Sequence, residues 1–92
     1  MAIIRNKDII QREIAGEALL IPVHGDAVTD QRVFSLNPVG QFIWEQLEKP
    51  MEPVELAQAI VEHFNVDLAQ AEEDVDAFIE QMQERHLVHV SL

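Results

Sequence analysis

SLNPVGQFIWEQLE, residues 35–48, decides the fold, because its hydrophobic pattern changes there from the period of a strand to that of a helix. Asn37 is a favoured residue immediately before a helix, since its side chain can accept a hydrogen bond from a free backbone N–H. Pro38 suits the first helical position, where a missing N–H has no consequence. The apolar stripe of the helix that follows consists of Val39, Phe42, Ile43 and Leu47. Trp44 lies slightly off this stripe and is predicted to seal the margin of the core. The stretch therefore predicts a strand that ends at Leu36 and a helix that begins directly after it.

Three short apolar runs precede and enter this junction. They cover residues 9–14, 18–23 and 32–36. In the first run Ile10, Arg12 and Ile14 fall on one face, which is the alternation of a half-buried strand. Gly16-Glu17 has the composition of a turn. Three short strands joined by turns predict a small antiparallel meander.

Two further helices follow the junction. Pro53 begins the second helix, and residues 65–67 interrupt the chain again. Asp67 is a good N-cap for the third helix, and Gln70 stands at capping-box spacing from it. The apolar stripe of the third helix consists of Ala71, Val75, Phe78, Ile79 and Met82. Its opposite face is acidic.

This order of elements predicts an α+β fold that is winged-helix-like, with a three-stranded antiparallel sheet followed by three helices. Residues 1–92 are expected to form a single domain, because a chain of 92 residues would leave a second domain without a core. No linker separates the sheet from the helices, so both should share one core. Residues 87–92 are expected to add a short strand or to lie against that core.

Charge and composition exclude several classes of protein. The net charge of −11 is uneven: residues 1–40 carry four basic and five acidic residues, and residues 41–92 carry two basic and twelve acidic residues. The acidic half would repel a polyanion. The absence of cysteine excludes disulfides and thiolate chemistry and fits a reducing compartment. No window is long and apolar enough for a membrane span, so a cytoplasmic protein without membrane contact is expected.

The sequence offers few residues that could carry out catalysis. Ser35 precedes the strand-to-helix turn, but its neighbours Phe34 and Leu36 are too large for a nucleophile elbow. His86 and His89 are three positions apart, so on an extended segment they would point to opposite faces and could not chelate a metal together. The sequence therefore predicts no enzyme, no metal and no cofactor.

Two kinds of binding protein remain. Three helices beside a small sheet are also the layout of winged-helix DNA readers. A DNA reader needs a basic recognition helix, and here the third helix carries six acidic residues before Arg85. A three-stranded sheet also has free edges, and an edge beside an apolar groove can accept an extended peptide as an added strand.

The residues of the junction carry a resemblance. Leu36-Asn37-Pro38-Val39-Gly40-Gln41-Phe42-Ile43-Trp44 resembles the Asn-x-x-Gly-x-x-Ile-Trp signature of the PqqD family, which comprises coenzyme PQQ synthesis protein D and its relatives. Residues 54–67 are similar to the family's second helix and following turn, and residues 71–88 are similar to its third helix. The resemblance covers roughly residues 10–88.

The resemblance implies a fold and a function. Family members adopt a winged-helix-like peptide-recognition fold, bind the leader of a ribosomally made precursor peptide, and present it to a modifying enzyme, often a radical S-adenosylmethionine enzyme. The leader adds as a strand to the third strand and lies against the third helix. The implied site comprises Arg32, Val33, Phe34, Ser35 and Leu36 on the strand, with Asp74, Val75, Phe78 and Met82 on the helix. A weak homodimer is left open.

The sequence differs from the family pattern at two places, and these differences bear on which pathway the protein serves. His86 stands where the family commonly has a glycine after the third helix. The sequence IPVHG at residues 21–25 lacks the Pro-Glu element associated with PQQ-pathway proteins. PQQ biosynthesis and a related peptide pathway both stay open. The alternatives are a winged-helix DNA-binding regulator and an adaptor that binds only a partner enzyme.

Overall fold

The computed structural model describes residues 1–22 and 33–91, and all statements about structure refer to them. The elements are β1 (Ala2–Arg5), β2 (Ile9–Ile14), β3 (Glu17–Pro22), β4 (Phe34–Leu36), α1 (Pro38–Gln46), α2 (Pro53–Phe64), α3 (Leu68–Glu84) and β5 (Val88–Ser91). The predicted α+β class is confirmed. An antiparallel sheet with the order β2-β3-β4 precedes three helices, and β1 and β5 form a second, two-stranded sheet.

The β2–β3 hairpin differs from the prediction by one residue. Ile14 pairs with Glu17, so the turn is Ala15-Gly16, and both turn residues have left-handed φ values of 54° and 83°. Positive φ at both central positions is typical of the tight turns that match the twist of two antiparallel strands. The predicted turn at Gly16-Glu17 is therefore wrong by one position.

The face of β2 that carries Ile10 and Ile14 is the outer one. Ile10 is 37% exposed and Ile14 is 52% exposed, whereas Gln11 is half-buried. The register explains the difference, because Gln11 lies opposite Leu20, which is fully buried. Alternation alone identified a strand but could not say which of its faces meets the helices.

The strand β4 is short and lies at the edge of its sheet. Phe34, Ser35 and Leu36 pair with Leu20, Leu19 and Ala18 of the central strand β3. Val33 precedes the strand, and Arg32, which the sequence placed in it, lies outside the described residues. Within the described part of the chain, no strand pairs with the other edge of β4.

The junction after β4 forms as predicted. Asn37 has an extended backbone, and its Oδ1 accepts a hydrogen bond of 2.7 Å from the Gly40 N–H, while Pro38 occupies the first helical position. Trp44 differs from the prediction. It is 2% exposed and lies in the core, and the Arg5 guanidinium covers its ring at 5.1 Å. The side chain is one of the largest that the core contains.

The other two helices also begin where predicted. Pro53 is the first residue of α2, and the Glu52 N–H donates to Glu55 Oε1 at 2.9 Å. Asp67 Oδ1 accepts from the Gln70 N–H at 2.8 Å and so caps α3. The Gln70 side chain donates to Asp74 Oδ1 at 3.0 Å, one turn further along the helix.

α3 ends in a Schellman motif around His86, which has a φ of 59°. The Leu87 N–H donates to the Met82 carbonyl at 2.9 Å, and the His86 N–H donates to the Gln83 carbonyl at 3.1 Å. This pair of bonds is the usual way to end a helix with a left-handed residue, most often glycine. The reversal directs Leu87 into the core, where it is 3% exposed.

The two ends of the chain meet in the sheet of β1 and β5, which confirms the short C-terminal strand that the sequence allowed. β1 was not predicted. Ile3 lies opposite Val90 and is fully buried. On its other side Ile3 exchanges two backbone hydrogen bonds with Met51, of 2.7 and 3.2 Å. The first strand is therefore held between β5 and the segment that joins α1 to α2.

One core joins the sheet to the helices. Its buried members include Ala18, Leu20 and Leu36 from the sheet and Ile43, Leu47, Leu56, Ile60, Ala71, Val75, Phe78 and Met82 from the helices. Within the described ranges, no helix is long and apolar enough to cross a membrane.

Replacing His86 by glycine should stabilise the protein. A left-handed conformation costs a residue with a Cβ more than it costs glycine, so we expect His86→Gly to raise the free energy of unfolding by about 0.5–1 kcal/mol. Gln83→Gly, an exposed position inside α3, should lower it by about 1 kcal/mol. Urea unfolding followed by circular dichroism measures both. A loss of stability in His86→Gly would contradict the assigned cap.

The N-terminal strand should be essential for stability. Ile3→Ala removes a fully buried side chain and should lower the free energy of unfolding by about 2–4 kcal/mol. The same substitution at Ile14, which is 52% exposed, should change it by less than about 0.5 kcal/mol. Thermal and urea unfolding of the two variants make the comparison. Equal effects would show that β1 is not part of the core.

Candidate functional site

A groove between β4 and α3, with a volume of about 190 Å³, is the candidate site. Its lining comes from β4, from the first turns of α1 and from one face of α3. The lining residues are Phe34, Ser35, Leu36, Asn37, Val39, Gly40, Ile43, Asp74, Ala77, Phe78 and Gln81. The mixture of apolar walls with a few polar groups is typical of a surface that receives a peptide segment.

Gly40 lies at a crowded point in the wall of the groove. It is buried, and a Cβ at this position would lie 3.2 Å from Asn37 Oδ1, 3.4 Å from Leu36 Cδ2 and 3.7 Å from Phe78 Cδ2. Without a side chain at Gly40, the Asn37 side chain that caps α1 is not crowded, and Leu36 of β4 and Phe78 of α3 lie within ordinary contact distance of the same point. This explains physically why the sequence places a glycine three residues after the capping Asn37.

The backbone of β4 is the second component of the site. Its partner β3 takes one edge, and the other edge is unpaired within the described chain. Ser35 is exposed, whereas Phe34 is half-buried and Leu36 is buried. An unpaired edge presents backbone N–H and C=O groups that can form a ladder with an extended chain.

Two charged side chains lie at the groove: Asp74 belongs to its lining, and Arg85 packs on Phe34, which also lines it. Asp74 is half-buried and, among the described residues, is the only charged one in the lining. The Arg85 guanidinium lies 5.0 Å from the centre of the Phe34 ring, which is cation–π geometry. The groove is thus acidic near Asp74 and basic near Arg85.

The structure brings together most of the residues that the sequence assigned to the site. Phe34, Ser35, Leu36, Asp74 and Phe78 all line the groove. The lining does not include the other four assigned residues. Of these, Val33 is 49% exposed and precedes β4, Arg32 lies outside the described residues, and Val75 and Met82 lie in the core.

Val75 and Met82 face the core and not the groove. They are 1% and 0% exposed, and the lining takes Ala77 and Gln81 from the same helix instead. Ala77 and Gln81 lie three and seven positions after Asp74, which is the spacing of a single helix face. That spacing could have identified them from the sequence once Asp74 and Phe78 were chosen.

The histidines in the described chain have structural roles. His63 stacks on Phe42 with ring centres 4.4 Å apart, and His86 ends α3. His89 Nδ1 hydrogen-bonds to Asn6 Oδ1, and the Asn6 side-chain amide donates to the His86 carbonyl. Residues 1–22 and 33–91 contain no cluster of three His, Asp or Glu side chains that could hold a metal ion.

Comparison with known proteins identifies both a family and a fold. The sequence profile of the family "Coenzyme PQQ synthesis protein D (PqqD)" matches residues 17–88. The structure of TbiB1 in complex with the TbiA(beta) leader peptide is similar, with a TM-score of 0.76, 24% identity, and coverage of 97% of this chain and 98% of that chain. A lasso peptide synthetase B1 complexed with the leader peptide is also similar, with a TM-score of 0.75, 17% identity, and coverage of 96% and 98%. No curated protein matches the chain. At these identities the structural likeness establishes the fold, and the profile match confirms the resemblance inferred from residues 36–88.

Proposed function

Because this chain belongs to the PqqD family, we propose that it binds the leader of a ribosomally made precursor peptide in the groove between β4 and α3. The observation that carries the proposal is the edge of β4 that no strand of residues 1–22 or 33–91 pairs with, directly beside that groove. The two similar structures supply an analogy, since each was solved with a leader peptide on the same fold. The members of the family are non-catalytic, which confirms the prediction that this chain is not an enzyme.

The proposed binding mode is strand addition. Backbone groups of Phe34–Leu36 would pair with the peptide, and alternate peptide side chains would enter the groove toward Phe78. On sequence grounds, Val33 and Arg32 would extend the paired segment. Asp74 and Phe78 would contact the peptide from α3. Val75 and Met82 would act by fixing the position of α3, because both lie in the core.

The proposed role is that of a peptide chaperone that presents its cargo to a modifying enzyme. Tethering a precursor beside an enzyme raises the effective concentration of the segment to be modified, so a modest leader affinity suffices. The family resemblance favours an enzyme of the radical S-adenosylmethionine type, in PQQ biosynthesis or a related peptide pathway. Co-purification of the modifying enzyme with this protein, with and without the leader, distinguishes this role from that of an adaptor that binds only the enzyme.

DNA binding is the weaker alternative. α3 would have to enter the major groove, but it carries Glu72, Glu73, Asp74, Asp76, Glu80 and Glu84. Phosphate contacts dominate DNA affinity, and these side chains would oppose them. An electrophoretic shift with duplex DNA at low salt would be the result that favours a regulator.

Any self-association should be weak and should use the outer face of the sheet. Ile10, Ile14 and Val33 are 37%, 52% and 49% exposed. This half of the chain is nearly neutral, whereas the helical half carries most of the negative charge. A stable interface typically buries roughly 800 Å² per partner, so a face with only a few exposed apolar side chains favours a weak association. Sedimentation velocity over a concentration series tests this, and Ile14→Lys should abolish any dimer. A dimer that persists in Ile14→Lys would place the interface elsewhere.

Filling the groove should abolish leader binding. Ala77 is exposed and lines the groove, so Ala77→Trp would occupy the space beside Phe78. We expect it to weaken binding of the leader from the precursor encoded beside this gene by about tenfold or more, which is ~1.4 kcal/mol. Isothermal titration calorimetry measures the affinity, and leader-induced shifts of the Phe34–Leu36 amide signals locate the contact.

Ala69→Trp provides the matched control. Ala69 is also exposed on α3 but lies outside the groove lining, so the same substitution there should leave leader affinity unchanged. Equal affinities for Ala77→Trp and the unmodified protein would move the site away from this groove. Binding that leaves the three β4 amides unshifted would rule out strand addition.

A further inference from the structure

We infer that the groove also selects its peptide by charge order, with a basic side chain at the Asp74 end and an acidic side chain at the Arg85 end. The inference rests on the proposed function and adds to it the class of sequence that the site accepts. Apolar side chains would lie between the two charges, against Leu36, Val39 and Phe78. The inferred ligand is therefore an extended peptide segment with one basic and one acidic side chain, rather than a generally basic segment.

The relative direction of β4 and α3 sets this order. Phe34, the first residue of β4, lies beneath Arg85 near the end of α3. The following Leu36 and Gly40 meet Phe78, which is one turn from Asp74. The strand and the helix therefore run in opposite senses along the groove, and each charge belongs to a definite end of β4.

The separation of the two charges sets the spacing in the peptide. Asp74 and Arg85 are eleven positions apart along α3. At a helical rise of 1.5 Å per residue this is roughly 16 Å, which an extended chain covers in about five residues. Because alternate side chains of a strand point to the same face, basic and acidic side chains about four or six positions apart would both lie beside their partners.

The two groups differ from the other charges of α3 in their surroundings. Asp74 and Arg85 are half-buried, and they lie in the groove lining and against its residue Phe34, respectively, whereas Glu72, Asp76 and Glu80 are exposed. Partial burial reduces screening by salt, so the two groove charges act at a fixed position, whereas the exposed ones give only a diffuse attraction for cations. A guanidinium can donate hydrogen bonds to a carboxylate in its plane while its face stays on an aromatic ring. Arg85 can therefore bind a carboxylate without leaving Phe34.

The direction of the bound peptide relative to β4 decides which of its two charged residues comes first in the peptide sequence. Antiparallel pairs outnumber parallel pairs about two- to threefold, and β4 already pairs antiparallel with β3. A peptide antiparallel to β4 passes Leu36 first and Phe34 last. It therefore meets Asp74 before Arg85, so its basic residue precedes its acidic residue.

Selection from a phage-displayed library of random peptides tests the inference on the full chain. The unmodified protein should enrich peptides in which a basic residue precedes an acidic one by about four or six positions. The double variant Asp74→Lys with Arg85→Glu should enrich the reverse order. For synthetic peptides of equal composition, exchanging the two charges should weaken binding to the unmodified protein by about threefold to tenfold and strengthen binding to the double variant.

Matched charge changes outside the groove provide the control. Asp76→Lys with Arg12→Glu alters the same number of charges at exposed positions, and it should leave the selected order unchanged. Thermal melting checks that every variant is folded. Selected peptides that shift the β4 amides but show no charge order would overturn the inference and leave the proposed function standing. Peptides that bind without shifting those amides, or a selection that enriches nothing, would contradict both.

Discussion

The hydrogen bond from the Gly40 N–H to Asn37 Oδ1 is the contact on which the arrangement of the site depends. It ends β4 and begins α1 within two residues, so the edge strand cannot slide relative to the first helix. The donor residue has no Cβ, so nothing crowds the capping Asn37 Oδ1, and Leu36 of β4 and Phe78 of α3 lie close to the same point. Strand edge, helix face and groove wall thus meet at one short segment.

The proposal that β4 is the receptive edge rests on its side chains as well as on its position. β2 is the opposite edge of the same sheet, but it carries Arg12 and Glu13, both exposed. Charged residues on an edge strand discourage further pairing. β4 carries no charge of its own and has a partly apolar helix face beside it. One edge of the sheet is therefore suited to accept a strand, and the other is protected from doing so.

The local signals in the sequence were sufficient for the helices but not for the terminal sheet. Asn37, Pro53 and Asp67 mark helix starts through chemistry that acts within four residues, and all three helices begin there. β1 has only four residues, and its partner β5 lies at the far end of the chain, so neither alternation nor length identified it. In the site, periodicity grouped the residues of α3 by face. It could not say by itself which face lines the groove and which lies in the core, because this depends on what packs against each face.

A short receptive edge has a consequence for how such a protein works. β4 offers three residues, and backbone pairing does not depend on the side chains of the peptide. Pairing with β4 can therefore supply only part of the affinity and none of the specificity. Specificity must then come from the side chains that line the groove, which are few and mostly apolar. An interface of this size favours modest affinity and fast release. Both properties suit a protein that holds a precursor beside an enzyme, because a leader that dissociated slowly would delay the next peptide, while tethering compensates for weak binding through effective concentration.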